Sequence, residues 1–224
     1  MSYNPQTAAR YARFVEFAYD MYSSAPDSLT PAPDPDLNPA GYDLLCYLTA
    51  HDFEDVKFYG YLAVSSTAPS ELILAIRGTQ DFKEWVLDFG ALPLPYLGRG
   101  LVAAGFRSIA ESFQLVNSDG TGLGDLATVI SAHNTTTPIT NITILGHSLG
   151  GALATLAAAQ IAFSDATLAA TIDLWTYASP GLGFRILQAL LTRRFRLPIA
   201  SGTPSISFRK CRRSRTSMSG KARS

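Results

Sequence analysis

Cysteine, histidine and long apolar runs are scarce in this sequence, and each scarcity removes a class of function. The two cysteines, Cys46 and Cys211, are too few and too far apart for a disulfide framework. They form no metal-ligand cluster with the three histidines, so neither a metal nor a cofactor is expected. No run of eighteen apolar residues occurs, and Met1 to Asp20 has no apolar segment behind a basic one. As it stands, the sequence predicts a soluble, cytoplasmic chain.

Acid is missing from one end. All 18 Asp and Glu lie at or before Asp173, and the first 180 residues hold only seven Lys and Arg, a net of −11. Residues 181–224 hold eleven basic residues and no acid. A break this sharp divides the chain into a domain over residues 1–180 and a Ser- and Arg-rich tail over 181–224. The tail is expected to be poorly ordered, because little in it could cover the edge of a packed domain.

What is present is globular. Hydrophobic residues make up 47% of the chain and aromatics 11%, and 224 residues suffice for one α/β domain with a substantial core. Ala8, Tyr11, Ala12, Val15, Ala18 and Tyr19 fall at helical spacing and predict a packing helix over 8–22 with no catalytic role. The Pro- and Asp-rich stretch 26–39 reads as a surface loop. Strands are predicted at 44–48, 58–64, 72–76, 139–145 and 172–177, and helices at 104–116, at 125–133 as its continuation after the Gly-rich break at 120–124, and at 149–163. Pro93 and Pro95 are expected to stop regular structure. Strand, turn, helix and strand in succession imply a parallel sheet with helices on its faces.

Chemistry concentrates at Gly146-His147-Ser148-Leu149-Gly150-Gly151. The serine follows an apolar strand and opens a helix, and the glycines around it permit the strained turn that raises a hydroxyl above a sheet edge. Helix N-terminal N–H groups stand where an oxyanion would form, with Leu149 N–H the natural first donor.

Arg77-Gly78-Thr79, Trp85 and Asp88, Gly105-Phe106, the Ser148 turn and Thr176-Tyr177-Ala178-Ser179-Pro180 together resemble the ordered motifs of class 3, fungal-type lipases over residues 58–180. The resemblance implies an α/β-hydrolase fold, here with its C-terminal strands incomplete. It also implies hydrolysis of carboxylic esters of the triacylglycerol lipase type, in lipid metabolism, with transient contact at a lipid interface. It assigns the nucleophile to Ser148 and the second oxyanion donor to Thr79, and makes Phe82, Trp85, Leu87 and Phe89 residues of a mobile lid. An amphipathic core helix is the alternative for those four.

A serine hydroxyl needs a general base and an acid that orients it, and in α/β-hydrolases both follow the serine. Here His51, His133 and His147 all precede Ser148, and the last acids are Asp165 and Asp173. His51 is expected in a polar loop, His133 on the side away from the active site, and Asp173 at the wrong end of its strand. The chain is therefore expected to be inactive. One nucleotide earlier in frame, codons compatible with residues 206–212 can encode Asp-Ile-Val-Pro-Lys-Val-Pro, resembling the family's acid-bearing segment. The working explanation is thus an out-of-frame segment after about Pro180. Two alternatives remain: a pseudo-hydrolase that binds acyl ligands without turnover, and an interaction protein with a polybasic arm. The tail lacks aromatics to stack bases beyond Phe195 and Phe208, so no nucleic-acid partner is expected. Oligomeric state is not legible.

Overall fold

The computed structural model describes residues 4–52, 55–79 and 92–180. The expected lid residues Phe82, Trp85, Leu87 and Phe89, and the whole segment 181–224, lie outside the described residues.

Helix α1 (Pro5–Ser24) starts where the Asn4 side chain accepts from the N–H groups of Gln6 and Thr7. It is followed by β1 (Tyr42–Asp52), β2 (Asp55–Ser65) and β3 (Glu71–Ile76), then a small hairpin of β4 (Pro93–Pro95) and β5 (Leu101–Ala103). Helix α2 (Ala104–Glu111), β6 (Gln114–Val116), β7 (Gly122–Asp125) and helix α3 (Leu126–Thr136) come next. Strand β8 (Asn141–His147), helix α4 (Leu149–Ser164), a single 3-10 turn (Leu168–Ala170) and β9 (Ile172–Tyr177) complete the described fold.

The main sheet has seven strands in the order β7-β6-β1-β2-β3-β8-β9. β3, β8 and β9 pair in parallel and the other neighbours antiparallel, so all strands but β2 and β6 share one direction. Period-two alternation sorts the side chains into two cores. Leu72, Leu74 and Ile76 of β3 face α2, α3 and α4, whereas Ile73 and Ala75 face α1. At Tyr59 the pairing of β2 with β1 skips a residue, a bulge that lets Phe58 and Tyr61 share the α1 side although they are three apart. α1 is tied down by two buried phenols, Tyr61 donating to Phe14 O at 2.9 Å and Tyr177 to Ala8 O at 2.7 Å.

Four expectations need correction. The helix predicted over 104–116 stops at Glu111, where the Ser112 hydroxyl donates to Ile109 O, and Gln114–Val116 instead pairs with the edge of β1. The next helix is not its continuation: β6 and β7 intervene, and Asp125 is an N-cap accepting from Thr128 N–H at 3.0 Å. Pro93 and Pro95 lie within a strand rather than ending structure, which a two-stranded sheet tolerates because each strand keeps an unpaired side. His51 belongs to β1 rather than to a loop, its N–H donating to the Ser112 hydroxyl.

Candidate active site

The C-terminal ends of three parallel neighbours, β3, β8 and β9, meet at Ser148. β8 ends at His147, α4 begins at Leu149, and Ser148 makes the reversal alone with φ 54° and ψ −125°. A non-glycine residue there costs on the order of 1–3 kcal/mol, which the surroundings must offset. They do so with short contacts: Ser148 N–H donates to Tyr177 O at 2.9 Å, and Ser148 O accepts from Gly151 N–H at 2.9 Å. A Cβ on Gly150 would strike the carbonyl oxygens of Ile76 and Arg77, and one on Gly146 the carbonyl of Gly150. The glycines are thus required by the close approach of helix to strand. Leu149 is the first residue of α4, so its N–H has no carbonyl of its own helix to bond. It points, with the positive end of the helix dipole, into the space beside Ser148.

The turn after β3 forms the other wall. A Cβ on Gly78 would lie 3.3 Å from Ser148 Cβ and 2.7 Å from His147 O, so the backbone leading to half-buried Thr79 runs against the serine. Two groups fix this peptide. Gly78 N–H donates to the Tyr19 hydroxyl at 2.8 Å, and Arg77 Nη1 donates to Gly78 O at 2.9 Å. Arg77 is itself buried, its Nε donating to Phe58 O at 2.8 Å and its guanidinium lying 3.6 Å from the ring centre of Tyr22. Sequence reasoning placed Tyr19 on a purely packing face and did not single out Tyr22. The available signal was a helix presenting phenols three apart beside a buried arginine that must find acceptors.

His147 turns away from the serine hydroxyl toward α1. Its Nδ1 is 3.1 Å from Tyr19 Oη. Burial raises the pKa of Tyr19, only partly countered by the Gly78 hydrogen bond and Arg77, so the phenol keeps its proton. Burial lowers the pKa of His147, so the imidazole is neutral near pH 7. Tyr19 Oη thus accepts from Gly78 N–H and shares a second hydrogen bond with Nδ1 of His147.

The remaining titratable candidates are remote from Ser148. His133 is in the last turn of α3, ahead of β8, whereas Ser148 follows the far end of that strand, roughly 20 Å along it. Asp165 caps the C-terminal end of α4, the helix whose N-terminus follows Ser148. Its pKa is lowered by hydrogen bonds from the Thr167 hydroxyl and N–H. Asp173 sits near the start of β9, level with Thr143 of β8. Among the described residues, no side chain hydrogen-bonds to the Ser148 hydroxyl.

The chain is similar to known proteins in sequence and in fold. Secreted mono- and diacylglycerol lipase A of Penicillium cyclopium is 34% identical over 148 residues, 64% of this chain and 44% of that protein. Phospholipase A1-II 7 of Oryza sativa subsp. indica is 30% identical over 132 residues, 49% of this chain and 32% of that protein. The matched region thus spans less than half the length of these curated relatives. Among solved structures, the lipase of Rhizopus microsporus var. chinensis superposes with a TM-score of 0.63 at 18% identity, covering 87% of this chain and 65% of its own. Lipase II of Rhizopus niveus gives 0.63 at 20% identity, with 86% and 69% covered. These likenesses give the fold, an α/β-hydrolase. The family described as lipase (class 3) matches residues 73–202, running past Pro180 into the basic segment. The chain belongs to the class 3 lipase family.

Proposed function

We propose that Ser148 is the nucleophile of a carboxylic ester hydrolase of the triacylglycerol lipase type, with Leu149 and Thr79 donating to the oxyanion. The observation that carries this reading is the conformation of Ser148, φ 54° and ψ −125°, on a turn wedged between the α4 N-terminus and the Gly78 backbone. In acyl transfer the serine oxygen bonds to the ester carbonyl carbon, and the carbonyl oxygen takes up negative charge. Fixed donors aimed at that oxygen supply the largest single part of the stabilisation. The substrate class is a lipid ester, the kind of compound named for the Penicillium relative.

The 224-residue sequence supplies the nucleophile and the oxyanion donors but not the base, since no histidine follows Ser148 and His147 is engaged with Tyr19. Loss of the base from a serine triad lowers turnover roughly a millionfold. Incubation of the purified chain with a fluorophosphonate probe, alongside Ser148→Ala, tests both parts. Slow labelling confined to Ser148, without measurable hydrolysis of p-nitrophenyl butyrate, is expected. Complete resistance to the probe refutes the hydrolase reading, and turnover at an ordinary enzymatic kcat of about 1 s⁻¹ or more refutes the missing base.

A further inference from the structure

Helix α1 meets the backbone on both sides of the Ser148 turn through the Tyr19 hydroxyl. Tyr19 Oη accepts from Gly78 N–H at 2.8 Å and meets His147 Nδ1 at 3.1 Å. Gly78 precedes Thr79, and His147 precedes Ser148. One phenol therefore links the residue before one oxyanion donor to the residue before the nucleophile, which lie 59 and 128 positions from it in sequence. The space is closed around it: a Cβ on Gly78 would come within 2.5 Å of that oxygen. The carbonyl of the same residue is held by Arg77, which stacks on Tyr22 one turn along α1, so both polar atoms of the Gly78 backbone are set by groups on or against α1.

We propose that Tyr19 is a positioning residue of the ester-hydrolase site, a clamp that fixes the separation of the Thr79 and Ser148 backbones through Gly78 N–H and His147 Nδ1. This rests on the hydrolase reading above. Tyr19 takes no part in bond making. Its contribution is the distance between donors that follow two different strands, and oxyanion stabilisation depends steeply on where donors are held before reaction. A phenylalanine at this position keeps the ring in the α1 interface and removes both bonds.

The test uses a reversible mimic of the tetrahedral adduct that does not require turnover. With n-butylboronic acid, the Ser148 oxygen bonds to boron, the serine proton passes to solvent, and the anionic boron carries its hydroxyl oxygens toward the oxyanion donors. Affinity is measured by titration for the unaltered chain, Tyr19→Phe, Ser148→Ala and Tyr61→Phe. Tyr61→Phe loses one buried phenol bond to α1 at Phe14, away from the site. The unaltered chain is expected to bind and Ser148→Ala not to bind. Tyr19→Phe is expected to bind about tenfold more weakly while Tyr61→Phe is unchanged. The 15N signals of His147 should also move in Tyr19→Phe, as Nδ1 loses its hydrogen bond to the phenol.

Equal affinity of Tyr19→Phe and the unaltered chain overturns the clamp. So does equal weakening in Tyr19→Phe and Tyr61→Phe, which would mark a merely structural role. Failure of the unaltered chain to bind, or binding that survives Ser148→Ala, overturns the hydrolase reading and the clamp with it.

Discussion

Gly150→Ala sets two effects against each other, and the structure decides between them. Alanine is the better helix former by about 1 kcal/mol, and Gly150 is the second residue of α4, so propensity alone predicts stabilisation. Against this, the new Cβ would lie 2.6 Å from Arg77 O and 2.7 Å from Arg77 C, where ordinary contact begins at 3.4 Å. The Ile76 carbonyl oxygen is closer still, and restoring ordinary spacing to all three atoms requires roughly 1 Å of movement between α4 and β3. Neither side yields easily, because β3 is bonded to both β2 and β8, and α4 is buried along most of its length. Overpacking of this kind costs about 1–3 kcal/mol, and contact with main chain on a central strand belongs at the upper end. The net expectation is a loss of about 1–2 kcal/mol, a fall in Tm of roughly 2–8 °C for a domain of this size. Gly122→Ala is the control, since a Cβ there meets nothing within 4 Å, and its Tm should stay within about 2 °C of the unaltered chain. Thermal unfolding followed by circular dichroism measures both. If Gly150→Ala melts with Gly122→Ala, or above it, the close approach of α4 to β3 does not constrain the serine turn and the reasoning is wrong.

Ser148→Gly and Ser148→Ala both delete the hydroxyl, but only glycine relieves the φ of 54°, so Ser148→Gly should be more stable than Ser148→Ala by about 1 kcal/mol in urea unfolding. Burial lowers the folded pKa of His147 below its ordinary 6.5, so the unfolded chain takes up the proton first as pH falls. The contribution of His147 is therefore fully present above about pH 6.5 and is lost below it, down through the depressed folded pKa. The fall in Tm between about pH 7.5 and about pH 5.5 should be smaller in His147→Asn than in the unaltered chain. Glu16 and Asp20, whose pKa values burial raises, act in the opposite sense in both proteins and cancel from the comparison. A Leu74→Ala change, in a fully buried position of β3, should cost about 2–5 kcal/mol and prevent a cooperative melt before it affects any surface property.

The half of the fold around Ser148 was legible because its strands are buried on both sides. β3 and β9 read as near-continuous apolar segments, and the predicted bounds of β9 coincide with the observed Ile172–Tyr177. α4 was equally plain, a long Ala- and Leu-rich stretch beginning at the glycine turn. The other half misled at short elements. β6 and β7 have three and four residues, too few to display a period, and their pairing with β1 and with each other decides their state. Ser148 and Leu149 could be placed from local pattern, since one turn carries both. Tyr19 could not, because its role arises from contacts 59 and 128 positions away in sequence.

The Tyr177 hydroxyl bonds to the Ala8 carbonyl across 169 residues, so the seat of α1 is not complete until the last described strand exists. At common elongation speeds, on the order of 5–20 residues per second, that is a wait of roughly 10–30 s. During it the apolar face that ends on Phe14, Phe17 and Met21 has β1, β2 and β3 to pack against but lacks Leu145 of β8 and Trp175 and Tyr177 of β9. The last part of that core therefore closes at the pace of synthesis rather than of helix formation.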